Sequence, residues 1–190
     1  MYNLKIISSS IRPGRKGPVV AEWIAGLAKK SGLFNVEVFD LGEINLPLMN
    51  EANHPAVQQY QHDHTKAWSA RISEADAFIF VTAEYDYSYP APLKNALEYL
   101  IHEWAYKAAG VVSYSVGSFA GVRALANLKA DLLSLKVVSI AESVTIPSLL
   151  EQIDENGKMQ ANEIVSKSAE LMLQELARWT KGMTMIRENK

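Results

Sequence analysis

Cysteine is absent from the 190-residue chain, which excludes disulfide frameworks, thiol catalysis, cysteine-ligated zinc and iron–sulfur clusters. A surplus of one charge is absent too: 19 Lys+Arg stand against 21 Asp+Glu, a formal net charge of −2. Without a basic surplus, neither nucleic acid nor an anionic membrane is expected as a partner. No apolar run approaches the roughly 18 residues that span a bilayer. Met1–Ser10 also lacks the charged-then-apolar layout of a signal peptide. Repeats, low-complexity tracts and linker-like segments are missing as well. The expectation is a cytoplasmic chain that folds as one domain over residues 1–190. Its 48% hydrophobic and 21% charged residues match the globular average and leave enough material for a core.

Short apolar runs alternate with segments of helical period. Leu4–Ser8, Val36–Phe39, Ala77–Val81 and Gly110–Tyr114 are rich in β-branched or aromatic residues and read as strands. Val137–Ile140 with Val144–Ile146 makes a fifth, interrupted one. Several of these runs are apolar at consecutive positions, the pattern of a parallel sheet covered on both faces. Between and after them, Pro18–Lys30, Pro55–Glu74, Pro92–Trp104, Ala120–Leu135 and Ala161–Thr180 read as helices. The alternation predicts an α/β fold, a flavodoxin-like three-layer sandwich. Its five-stranded parallel sheet has the order 2-1-3-4-5, with helices on both faces and a ligand at the carboxyl ends of the strands.

Three strand-to-helix loops then fall at one end of that sheet. The first, Ser8 to Pro18, sets hydroxyls, two glycines and three cations before a helix N-terminus, where unsatisfied N–H groups and the dipole favour a phosphate. Its spacing matches neither G-x-x-x-x-G-K-[ST] nor G-x-G-x-x-G, and its composition alone fits a solvated basic loop as well. The second, Thr82 to Pro92, carries Tyr85, Tyr87 and Tyr89, flat faces for a planar ring; a subunit interface or loop packing accounts for them equally. In the third, Ser113 to Arg123, small residues permit close backbone approach to a ligand, or simply a tight turn. His62-Asp63-His64 has the look of a metal pair, but in a helical segment positions two apart diverge. No metal site and no catalytic side chain are assigned.

Together these loops resemble those of the NADPH-dependent FMN reductase family, over roughly Leu4 to Leu135. One branch of that family opens with G-S-T-R-P-G-R-x-G-x-x-V-A-x-W, and this chain reads Ser9-Ser10-Ile11-Arg12-Pro13-Gly14-Arg15-Lys16-Gly17-Pro18-Val19-Val20-Ala21-Glu22-Trp23. The family's P-x-Y-N-x-S-x-P-x-x-L-K-N-A-x-D is matched by Ala83 to Pro90 and Leu93 to Glu98, with Ala83 for Pro and Asp86 for Asn. Lys107 to Ala124 is similar to K-x-x-G-x-V-S-Y-G-x-x-x-G-x-R-A. The resemblance implies that Ser10, Arg12, Arg15 and the helix start at Gly17, Pro18 and Val19 hold an FMN phosphate. It implies that Glu84, Tyr85, Asp86 and Tyr87 border the isoalloxazine and that Ser115, Val116 and Gly117 touch its far edge. The implied activity passes hydride from NADPH or NADH through bound FMN to a small acceptor: a quinone, an azo compound, free flavin or a metal ion. The alternatives are a flavodoxin-type electron carrier and a flavin-free scaffold. A homodimer or homotetramer is implied too, for which Tyr99, Trp104 and Tyr106 offer aromatic surface.

Overall fold

The computed structural model describes residues 1–189; Lys190, the last residue of the expected domain, lies outside them. Five strands form one parallel sheet: β1 Tyr2–Ser8, β2 Phe34–Asp40, β3 Ala77–Ala83, β4 Ala108–Tyr114 and β5 Val138–Ile146. Their order is β2-β1-β3-β4-β5, as predicted. The consecutive apolar residues are explained by the sheet's two covered faces: every residue of β3 and β4 is buried. Leu4, Ile6, Ile79 and Val112 point to one face, under α1 (Gly17–Lys30) and α6 (Glu163–Glu188). Ile7, Phe78, Phe80 and Val111 point to the other, under α3 (Asp63–Ser73), α4 (Ala91–Glu98) and α5 (Val122–Ser134). A short α2 (Leu41–Ile44) follows β2. The expected interruption of the fifth strand is a register shift against Ala109 and Val111 within an otherwise continuous β5.

Three expected helices differ from those observed. Pro55–Glu74 breaks into a 3-10 turn at Pro55–Val57 and α3, because Gln58 turns left-handed (φ 53°) and the Glu51 carboxylate takes the Gln61 and His62 N–H groups. Burial opposes the charge on Glu51, but those backbone donors prevail and hold its carboxyl down to about 2. Pro92–Trp104 stops at Glu98. Beyond it Tyr99 and Trp104 turn inward, the phenol donating to Pro47 O (3.0 Å) and the indole to Leu97 O (3.2 Å). Both are fully buried, so they supply no surface to a second copy; Tyr106 is half-buried. The last helix runs on to Glu188, where Arg187 ties its end to Asp76 and the Tyr106 carbonyl. Among the described residues no helix is long and apolar enough to cross a membrane.

Candidate active site

The carboxyl ends of β1, β3 and β4 bring the three loops together where the strand order reverses, between β1 and β3. Ser8, Ser9 and Ser10 are all fully buried there. Ser10 Oγ lies 2.7 Å from Tyr85 Oη, joining the first loop to the second, and the Arg12 guanidinium sits 5.4 Å from the centre of the Tyr85 ring. Arg15 turns the other way. Its Nη2 donates to Asp40 Oδ2 (2.6 Å) at the end of β2, lying so close on Gly42 that a Cβ there would meet Nη2 at 2.6 Å.

Helix α1 begins without a side-chain cap from Lys16. Pro18 has no N–H, so Gly17 and Val19 carry the uncapped donors of the first turn. Gly17 is where strand ends and helix come closest: a Cβ on it would lie 2.7 Å from Ser8 Oγ and 3.1 Å from Tyr114 Oη. Burial, followed by the field of Tyr85, pushes the Tyr114 phenol well above its ordinary value, so it stays neutral beside the loop. Ser8 Oγ, Ser9 Oγ and Arg15 Nε are buried without a hydrogen-bond partner among the described residues. Buried polar atoms are nearly always paired. Two hydroxyls and a guanidinium N–H left open beside an uncapped helix start suit a phosphate, so these residues fit FMN.

The second loop is a two-residue hairpin. Tyr85 and Ser88 exchange both backbone bonds (2.8 and 2.9 Å), and Asp86 (φ 48°) and Tyr87 (φ 69°) between them are left-handed. Aspartate tolerates that region; tyrosine there costs about 1 kcal/mol. Two contacts offset the cost: Arg123 stacks 3.9 Å from the centre of the Tyr87 ring, and Asn127 donates to Tyr87 O (2.9 Å). The Glu84 carboxylate does not face the loop's rim. It accepts from Arg123 Nε (2.7 Å), Arg123 N (3.1 Å) and Ala124 N (3.5 Å), and so caps α5.

The third loop is pinned from behind. Ser115 O and Gly117 O accept from Leu149 and Ser148 N–H, and Ser115 Oγ donates to Gly117 O (2.8 Å). Val116 stands out into solvent, as does Phe119, whose ring centre lies 4.9 Å from the Arg123 guanidinium. Arg123 was not among the residues singled out from the sequence, although it is the R of the third matched motif. Asp40 and Gly42 carry no sequence signal, because only the fold brings them to Arg15. His62 and His64 stand apart from the site. His62 lies just outside α3, so the two rings stack at 5.1 Å instead of diverging, and both bond Asn50. Among the described residues no three His, Asp or Glu side chains are grouped as metal ligands.

A doubly wound sheet in this order, with an anion-ready loop at its switch point, defines a flavodoxin-like mononucleotide-binding protein. The sequence places it more closely. The chain belongs to the NADPH-dependent FMN reductase family, whose profile matches residues 2–150. It is 37% identical over 146 residues to an NAD(P)H-dependent FMN reductase of Schizosaccharomyces pombe, covering 75% of this chain and 72% of that one. A 2-hydroxy-1,4-benzoquinone reductase of a Burkholderia species is 26% identical over 187 residues, 94% of this chain and 96% of its own. Among solved structures, the flavoenzyme NAD(P)H:(acceptor) oxidoreductase FerB of Paracoccus denitrificans superposes with a TM-score of 0.80 at 22% identity. That match spans 96% of this chain and 99% of FerB. The protein is thus an FMN-dependent NAD(P)H oxidoreductase acting on small acceptors.

Proposed function

We propose that the chain is a cytoplasmic quinone reductase, one FMN-binding domain over residues 1–190 that works as a homodimer or homotetramer. The observation that carries the cofactor site is the set of open donors Ser8 Oγ, Ser9 Oγ and Arg15 Nε beside the uncapped start of α1. The relative named as a benzoquinone reductase, matched over nearly its whole length, supports a quinone as acceptor. FMN held there would supply the hydride relay from NADPH or NADH to the quinone, which with a proton becomes the hydroquinone.

The chain's own part is binding and orientation. Ser9, Ser10, Arg12 and Arg15 with the N–H groups of Gly17 and Val19 hold the phosphate, and Pro18 fixes the first turn that presents them. Tyr85, fixed by Ser10, and the backbone of Glu84, Asp86 and Tyr87 border the ring on one side. Ser115, Val116 and Gly117 border it on the other, on a loop held by Ser148 and Leu149. The exposed side chains of Ile11, Tyr87, Val116 and Phe119 give the planar acceptor an apolar rim.

Purified protein incubated with FMN and desalted tests the reading. Retained flavin absorbance that NADPH or NADH bleaches, and that a benzoquinone restores, is the expected result. Flavin bleached only by dithionite would indicate an electron carrier, and no retained flavin would refute the cofactor site.

A further inference from the structure

Tyr114 closes β4, immediately before the Ser115–Gly117 stretch. It pairs with Ala83 of β3, two residues beyond Val81, the partner of Ser8 at the end of β1. From that advanced position its side chain runs back across β3 on the α1 face of the sheet. It packs in the core there and brings Oη to the first turn of α1. The residue is 6% exposed.

A buried tyrosine ordinarily gives its hydroxyl a partner, because a hydroxyl stripped of water and left unbonded is costly. Phenylalanine would fill the same space without that cost. Yet Tyr114 Oη makes no hydrogen bond among the described residues, and neither does Ser8 Oγ. Both oxygens border the space that Gly17 leaves by having no side chain, 3.1 and 2.7 Å from the point where a Cβ would stand. Two neighbouring hydroxyls can satisfy each other, one donating and one accepting. These two stay apart across the gap.

The surroundings of the gap define what it takes. Ser9 Oγ and Arg15 Nε are also buried and unpaired, and the uncapped N–H groups of Gly17 and Val19 open the helix. After burial itself, the influences on the Tyr114 phenol are the fields of Tyr85, Arg12, Arg15 and Asp40, all members of the same cluster. Burial keeps the phenol protonated, so Oη has a hydrogen to donate. Such a set of open donors calls for a small group rich in acceptors, and a phosphate monoester offers three strong acceptor oxygens.

We propose that Tyr114 is a phosphate ligand of the cofactor: its O–H donates to a terminal oxygen of the FMN phosphate across the gap at Gly17, and so helps the chain tell FMN from riboflavin. This rests on the flavin reading above and adds to it a donor from β4. It also gives a reason for glycine at position 17, where any side chain would stand between the hydroxyl and its ligand.

Tyr114→Phe removes the one oxygen and keeps the ring. In the flavin-free protein the variant should melt at or above the wild-type temperature, because no bond is lost and an unpaired hydroxyl is removed from the interior. In flavin fluorescence titrations its affinity for FMN should fall roughly 10- to 100-fold, the worth of a hydrogen bond to a charged acceptor. Riboflavin, which lacks the phosphate, should bind as it does to wild type. An unchanged FMN affinity would overturn the proposal and leave water as the hydroxyl's partner. An equal loss for both flavins, or a flavin-free melt several degrees below wild type, would overturn it by assigning the hydroxyl to the ring or to the fold. Wild-type protein that binds FMN no better than riboflavin would instead refute the phosphate site itself, and this ligand with it.

Discussion

Replacing Glu84 with glutamine removes one charge while leaving the side chain's shape unchanged, and the structure specifies what that charge does. The carboxylate, 9% exposed, accepts from Arg123 Nε at 2.7 Å and from the first N–H groups of α5 at 3.1 and 3.5 Å. An amide oxygen can keep one of these donors, but its NH2 group then faces another. Hydrogen bonds to charged groups are worth about 1.5–3 kcal/mol each, and breaking a fully buried ion pair costs about 3–5 kcal/mol. The Arg123 side chain is 35% exposed, so solvent screens part of the loss, and about 2–3 kcal/mol is expected. For a chain of this length that lowers Tm by roughly 5–10 °C. Thermal unfolding of the flavin-free protein, followed by circular dichroism, measures it. Asp86→Asn is the control, because that carboxylate is exposed on a left-handed turn that asparagine tolerates equally; its shift should stay below about 1 °C. A Glu84→Gln melt within a degree of wild type would refute the claim that this carboxylate anchors α5 to the hairpin.

Gly17→Ala drives a Cβ into Ser8 Oγ, costs about 1–2 kcal/mol and displaces the uncapped donors; FMN affinity by fluorescence titration should fall at least tenfold, and an unchanged Kd would count against the phosphate site. Gly121→Ala combines a left-handed backbone (φ 75°) with a Cβ 2.9 Å from Tyr114 O, for about 2–4 kcal/mol in thermal melts. Gly117→Ala, in open space, should cost less than about 0.5 kcal/mol. Burial, then repulsion from Arg187, lowers Lys107 to about 8, while its carbonyl partners are Ile72 and Ser73 at the end of α3. Between about 8 and the ordinary lysine value of 10.5 the unfolded chain holds a proton the folded chain has shed, so stability rises with pH through that window. Urea unfolding at pH 7.5 and 9.5 should show the rise in wild type, of up to about 3 kcal/mol across the full window, and its loss in Lys107→Met.

The sheet was legible because a strand buried on both faces leaves an unambiguous trace: Ala77–Val81 and Gly110–Tyr114 hardly admit a polar residue. Helix ends were less so, since tertiary contacts set them. Helical spacing continues from Leu97 through Ile101, yet Tyr99 finds a better partner in Pro47 O and the helix ends. The site divides in the same way. Ser10, Tyr85 and Gly17 lie in contiguous motifs; Ser10 meets Tyr85, and Gly17 packs against Ser8 and Tyr114. Arg15, in the same loop, answers to Asp40, and Glu84, in the ring motif, answers to Arg123. A motif places a residue in a loop; the partner that directs its side chain comes from another element.

The pairing of Arg15 with Asp40 bears on how an anion is chosen. A guanidinium already neutralised at one edge contributes little long-range pull, which leaves the field of the loop to Arg12 and Lys16. What Arg15 keeps is direction: one open N–H of the same guanidinium, with the open hydroxyls of Ser8 and Ser9 and two helix donors around it. Selection by bond geometry survives cellular ionic strength, where selection by charge is screened within about 8 Å. In the cofactor site proposed above, such a cradle would select a phosphate monoester by fit more than by net charge.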